Sequence, residues 1–415
     1  MSTGSSGMPA TRPPGRMPFA ALRHRDFRYL WLGLLASNTG TWMQMVAQGW
    51  LIYELTDSPL YLGLVGLARG GPIIIFSLFG GTLADRVDRR KLLYFTNLLA
   101  TAFALLLAIL TWTGRVEVWH VLLLAFLSAS VLAFDQPTRQ ALVPTLVPRE
   151  ALFNAVALNS MTFNGAAIFG PALAGMLVPI IGVAGNFLIN ALSYGFVLLA
   201  LWRMNIPAFI APPRTKLLDD LIEGFRYLRS QPLLLGLLGM TVAVSFFGRS
   251  YIGLMPVFAR DVVDAGVEGL GVMMSAPGLG TVIGAFTLAS LGSFRRKGAL
   301  VIVSGISLGV ILVAFAYSRS FYTSTMLLVL VGGLAILTSS TINTLLQLTV
   351  EDRLRGRVMS MYTLSMLGMH PLGQLPLGAL AEVAGAPLAV SLGALAMGAA
   401  ILIALWAVPQ IRRLE

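Results

Sequence analysis

Apolar residues run along this chain in blocks of twenty or more, each closed by a short knot of charge, glycine or proline. A helix needs ~20 such residues to cross ~30 Å of hydrocarbon. The pattern predicts twelve membrane-spanning helices. The first six fall at 29–54, 60–82, 91–113, 117–140, 153–181 and 184–204. The second six fall at 233–259, 268–291, 298–318, 323–348, 356–383 and 386–408. Between the sets lies 205–232, where Leu217, Leu221, Phe225 and Leu228 share one helical face. That face predicts a helix lying along the membrane interface.

The two sets repeat. Gly165, Gly170 and Gly175 recur as Gly368, Gly373 and Gly378, and Gly81 recurs as Gly284, all at one offset. The expected fold is an all-α membrane protein of twelve transmembrane helices in two pseudo-symmetric six-helix bundles. Its parts are a cytoplasmic tail (1–28), a first half (29–204), a central linker (205–232), a second half (233–409) and a short tail (410–415). Parallel repeated halves are a transporter architecture.

Composition agrees: 56% of residues are hydrophobic and 11% charged, against about 25% charged in soluble domains. Of the 29 Lys and Arg residues, all but Arg69, Arg115, Arg249, Arg260 and Arg319 fall on the tails and on loops of one side. By the positive-inside rule that side is cytoplasmic, and both termini lie on it. The net charge of +11 therefore reflects topology, and no nucleic acid partner is expected. The chain has no cysteine, which excludes disulfides, thiolate metal sites and thiol nucleophiles. Its three histidines, His24, His120 and His370, lie at distant heights, so neither a metal cluster nor a catalytic triad is expected. Lys91, Lys216 and Lys297 precede Leu, Leu and Gly, so no phosphate-binding G-x-x-x-x-G-K-[ST] loop is present. Residues 1–18 contain no apolar signal segment.

Residues 81–90 resemble the loop signature of the major facilitator superfamily, G-x-x-x-D-R-x-G-R-R. Gly81, Asp85, Arg86, Arg89 and Arg90 match, and Asp88 stands where the pattern has glycine. Phe134-Asp135-Gln136-Pro137-Thr138-Arg139-Gln140-Ala141-Leu142-Val143-Pro144, Asn154 to Asn159, and Gly170-Pro171-Ala172-Leu173-Ala174-Gly175 resemble the bacterial branch of enterobactin-exporter-like and macrolide-efflux-like proteins. The resemblance implies export of amphiphilic small molecules by a monomer in the bacterial inner membrane. A proton gradient would drive it, without cofactor or ATP. Two departures stand out: residues 121–134 hold no arginine, and the helix-5 motif lacks its upstream glycines. Uptake, lipid flipping and a receptor without flux are the competing readings.

The resemblance assigns Gly81, Asp85, Arg86, Asp88, Arg89, Arg90, Asp135 and Arg139 to a cytoplasmic gate. Asp85 would latch onto the start of helix 11, near Arg355 to Arg357. The alternative is a plain topology anchor. Two polar stripes, Ser37, Thr41, Gln44 and Gln48 in helix 1 and Ser340, Asn343, Thr344 and Gln347 in helix 10, would line a substrate cavity. Otherwise they hydrogen-bond between helices, at ~0.6 kcal/mol per contact. Tyr362 and Met366, with Met359, Met369 and His370, share one arc of helix 11 as an adaptable wall, or simply pack. His370 is a candidate proton carrier. Arg69 and Arg249, each about ten residues from an outer helix end, are the costliest residues in the pattern. Each either holds an anionic group or snorkels outward. Four-residue spacing of small residues through Gly170 and through Gly280 and Gly284, with Pro171 and Gly175 beside them, predicts where helices 5 and 8 meet between the halves.

Overall fold

The computed structural model describes residues 19–84, 87–204, 225–292, 294 and 296–414, with the side chains of 77–84 and 413 outside that description. The amphipathic stretch predicted in the linker therefore lies largely outside the described residues.

The first half contains α1 (Arg25–Thr56), α2 (Pro59–Ala84), α3 (Arg89–Trp112) and α4 (Val118–Leu142). The stretch Arg149–Arg203 then turns at Gly182, whose φ of 72° breaks the helix into α5 (149–181) and α6 (183–203). A left-handed residue at a tight reversal is where glycine is needed. The second half contains α7 (Pro232–Val262), α8 (Gly266–Ser290), α9 (Lys297–Tyr317), α10 (Phe321–Thr349), α11 (Arg355–Ala384) and α12 (Ala386–Ala407).

Among the described residues, nine stretches are long and apolar enough to cross a membrane. Helices α1 and α11 are not among them. Both carry polar residues along their length, the former Ser37, Thr41, Gln44 and Gln48, the latter Arg357, His370, Gln374 and Glu382. In a membrane transporter the least apolar helices are the ones turned from lipid towards partners or water. Large side chains such as Phe153, Trp202, Phe286 and Trp406 are exposed on the outer faces, as a bilayer requires.

Helix α7 is irregular. It runs as α-helix over Pro232–Ala243, widens to a π-helix over Val244–Gly248, tightens to a 3-10 helix over Ser250–Leu254, and widens again over Phe258–Val262. Such changes of pitch inside a helix concentrate at functional positions.

Glycines decide how the helices meet. A Cβ on Gly175 would lie 3.0 Å from the Gly271 Cα, and one on Gly378 would lie 3.1 Å from the Gly63 Cα. These contacts join α5 to α8 and α11 to α2, one seam on each side of the junction between halves. Pro171 adds its carbonyl to the α5 seam, facing Gly271. The other predicted interface glycines pack elsewhere. Gly170 meets Trp42 and the Thr39 carbonyl of α1, Gly280 meets Val329 of α10, and Gly284 meets Gly333 and Ile336 of α10. Gly175 stands about 140° around the helix from Gly170 at 3.6 residues per turn. One repeat of glycines thus serves two faces. Gly373, the counterpart of Gly170, likewise packs on Phe246 of α7 within its own half.

A large buried cluster runs through both halves, from Val46 and Trp50 to Phe258, Phe315 and Ala389. A second cluster, including Phe27, Leu30, Leu93, Leu142, Leu158 and Leu201, belongs to the first half alone.

Candidate substrate pathway and gates

At the end of the bundle that holds the chain termini, Asp88 is the N-cap of α3. Its Oδ1 accepts from the amides of Arg90 (2.9 Å) and Lys91 (3.4 Å). Aspartate and glycine are both accepted N-cap residues, which explains how this aspartate stands in for the pattern's glycine. Arg89 donates through Nη1 to the Ala141 carbonyl (3.1 Å), and Arg90 through Nη2 to the Trp202 carbonyl (3.1 Å). Those carbonyls close α4 and α6, where helix dipoles favour a cation. Asp88 caps α3 and Asp135 pairs with Arg139.

Asp135, 3% exposed, pairs with Arg139 one turn on and accepts from Thr96 Oγ1 and Asn97 Nδ2, both at 2.8 Å. Arg139 also reaches Asn97 Oδ1 at 3.4 Å. This buried network ties α3 to α4. Gly81 falls in the last turns of α2. Its surroundings, with Asp85 and Arg86, lie outside the described residues.

At mid-depth the first polar stripe is bonded to neighbouring helices. Ser37 is buried. Thr41 Oγ1 meets the Tyr194 hydroxyl at 3.1 Å. Gln44 Oε1 accepts from Asn190 Nδ2 at 2.5 Å, and Ser193 Oγ donates to Asn190 Oδ1 at 3.1 Å. Gln48 Nε2 donates to the Val121 carbonyl at 3.2 Å, while its Oε1 accepts from Arg69 Nη2 at 2.6 Å. The stripe therefore binds α1 to α2, α4 and α6. Asn190 and Tyr194 escaped the sequence reading, although polar side chains within the predicted sixth span were the available signal.

In the second half, Gln347 donates to Asn343 Oδ1 at 2.6 Å, and both are at least partly exposed. The Tyr362 hydroxyl donates to the Ser339 carbonyl at 3.0 Å. Met366 is half-buried. His370 Nε2 lies 3.2 Å from Gln374 Nε2, and the His370 carbonyl accepts from Ser250 Oγ at 3.0 Å. Arg249 stands between the π and 3-10 stretches of α7. Gln374 was missed by the sequence reading. It wedges where a Cβ on Gly66 or Gly253 would fall, within 2.6 and 2.9 Å of its side chain.

At the opposite end, polar contacts at two places fasten the halves together. Arg260 of α7 pairs with Asp57, bonds Asp261 at 2.8 Å, and lies 4.0 Å above the Tyr53 ring. The Tyr53 hydroxyl donates to Asp261. On the other side, Glu382 of α11 accepts from Ser58 Oγ (2.6 Å) and the Leu60 amide (3.2 Å). An acidic group at the first turn of α2 is favoured by the helix dipole.

The sequence pattern of the transmembrane secretion effector family matches residues 16–414. The chain belongs to that family. It is a membrane transporter of the major facilitator type, as residues 81–90 suggested. The staphyloferrin A transporter of Staphylococcus aureus (strain NCTC 8325 / PS 47) is 24% identical over 327 residues, covering 78% of this chain and 81% of that protein. The enterobactin exporter EntS of Shigella boydii serotype 18 (strain CDC 3083-94 / BS512) is 28% identical over 348 residues, covering 82% and 81%. Among solved structures, the nucleoside transporter NupG superposes with a TM-score of 0.71 at 11% identity, covering 92% of this chain and 98% of that one. A bacterial homologue of the human lysosomal transporter Spinster, inward-facing and unoccupied, gives 0.67 at 14% identity, covering 93% and 96%. These likenesses establish the fold of this secretion effector. By name, the first of these relatives transports staphyloferrin A and the second exports enterobactin.

Proposed function

We propose that this secretion effector exports amphiphilic small molecules, siderophore-like metabolites or drugs, across the bacterial inner membrane by alternating access. In this reading twelve helices span the bilayer, both termini are cytoplasmic, and inward proton flow drives the cycle. The observation that carries it is the pair of glycine seams, Gly175 on Gly271 and Gly378 on Gly63. Backbones this close at those two points let one half rock on the other. Substrate enters between the halves from the terminal end. Rocking then parts Arg260 from Asp57 and Ser58 from Glu382, which opens the far end for release. His370, held by Gln374 and Ser250 beside both seam helices, is the proposed proton carrier.

The test is dye and antibiotic accumulation in efflux-deficient cells expressing the chain, with and without a protonophore. Lower accumulation that a protonophore restores is the expected result. Unchanged accumulation of every compound removes the multidrug reading, and substrate binding without flux in proteoliposomes would make the chain a receptor.

A further inference from the structure

Arg69 and Arg249 come from different halves, yet the fold sets them at one level. The shared reference is a single turn of α11, residues 370–374. On one side of it, a Cβ on Gly70 would meet Pro371 at 2.7 Å and one on Gly66 would meet Gln374 at 2.6 Å. On the other side, Ser250 Oγ bonds the His370 carbonyl, and a Cβ on Gly253 would meet Gln374 at 2.9 Å. Arg69 directly precedes Gly70, and Arg249 directly precedes Ser250.

Both arginines are half-buried residues, and neither pairs with a carboxylate among the described residues. Arg69 has one neutral acceptor, Gln48 Oε1, and Tyr194 lies near it. Arg249 makes no hydrogen bond or ion pair among the described residues, and Tyr251, Tyr362 and His370 lie near it. Each arginine thus has tyrosine for company and charge left uncompensated. A cation at this depth is costly and calls for a counter-charge or water. Snorkelling is poorly served for Arg69, because its guanidinium is held by Gln48.

We infer that the exported molecules are anionic, and that Arg249 and Arg69 supply their counter-charges, one from each half. The inference rests on the export reading above and names its substrate class: an amphiphile carrying carboxylate or another oxygen anion. A planar guanidinium binds such a group through two parallel hydrogen bonds, and the neighbouring tyrosines offer hydroxyls and ring faces to the rest of the molecule. An anion bridging the two arginines would couple the halves while it is bound.

The experiment compares two dyes of one xanthene frame, anionic 5-carboxyfluorescein and cationic rhodamine 6G. Binding to the purified full chain is read by fluorescence anisotropy for the wild type, Arg249→Gln, Arg69→Gln and the two lysine variants. Tighter binding of the anion by the wild type is expected. Each glutamine variant should weaken it at least tenfold, each lysine variant, which keeps the charge but loses the paired hydrogen bonds, by a smaller factor, and rhodamine 6G should be indifferent to all four. Displacement of carboxyfluorescein from the wild type by benzoate but not by benzamide should follow, and this does not depend on any variant folding. Tighter binding of the cation, full anion binding by both glutamine variants, or equal displacement by benzamide overturns the inference while leaving export standing. Anion binding by the wild type without flux in proteoliposomes instead overturns export itself.

Discussion

Arg260 of the second half is ion-paired with Asp57 of the first, and Asp57 ends α1 in the left-handed region (φ 52°). The equivalent turn after α7 uses Asp264 in the same conformation (φ 50°). Aspartate tolerates that region better than most side chains. The repeat thus supplies a matching corner in each half, and among the described residues only the first is joined to an arginine across the junction.

Breaking that junction should favour opening at the far end. Arg260→Gln loses the pair to Asp57 and the stacking on Tyr53, each worth about 0.5–1 kcal/mol at a partly exposed site. A combined loss near 1.4 kcal/mol is about a tenfold shift between conformations. Because the chain has no cysteine, single cysteines can be placed on the far ends of α1 and α7 and their separation measured by electron paramagnetic resonance. The long-distance population should rise in the variant.

The seams should be intolerant of even one methyl group. Gly175→Ala and Gly378→Ala press against backbone atoms 2.6–3.1 Å away, and overpacking of this kind costs about 1–3 kcal/mol. Membrane insertion should be normal while transport falls about tenfold or more. Gly165→Ala and Gly398→Ala, with nothing within 4 Å of the new methyl, are the controls and should transport as the wild type does.

Asp88 should behave as a helix cap. Asp88→Ala is expected to cost about 1 kcal/mol, and Asp88→Gly only a few tenths. Thermal unfolding in detergent ranks the three proteins. A glycine variant as unstable as the alanine variant would argue against capping.

The buried Asp135–Arg139 pair should show strong coupling. Asp135→Ala leaves a largely buried guanidinium without its partner and should cost about 3–5 kcal/mol. Removing Arg139 as well should restore a good part of that. A double-mutant cycle on thermal stability reads the coupling, and additive losses would mean that the pair acts independently.

Much of the architecture was legible because the bilayer is a severe solvent. Twenty-residue apolar blocks, loop charges and the repeated glycines are one-dimensional signals of one-dimensional constraints. They predicted the helical fold class, the repeat and the family that residues 81–90 and 134–159 point to. What the sequence could not assign was the direction in which each marked residue faces. Gly170 and Gly175 sit five residues apart and serve different partners. Gln44 and Gln48 read equally well as cavity lining or as bonds between helices, until Asn190, Val121 and Arg69 were found opposite them. Gln374 gave no signal because its role depends on Gly66 and Gly253, far away in the chain. Periodicity along one helix records which face is polar, but the partner of that face is set by packing between helices distant in sequence. The sequence by itself determined the spans expected, their charge asymmetry and two costly arginines within them. Only the tertiary structure decided that Arg69 and Arg249 flank the same turn of α11, because that depends on how two halves meet across glycine.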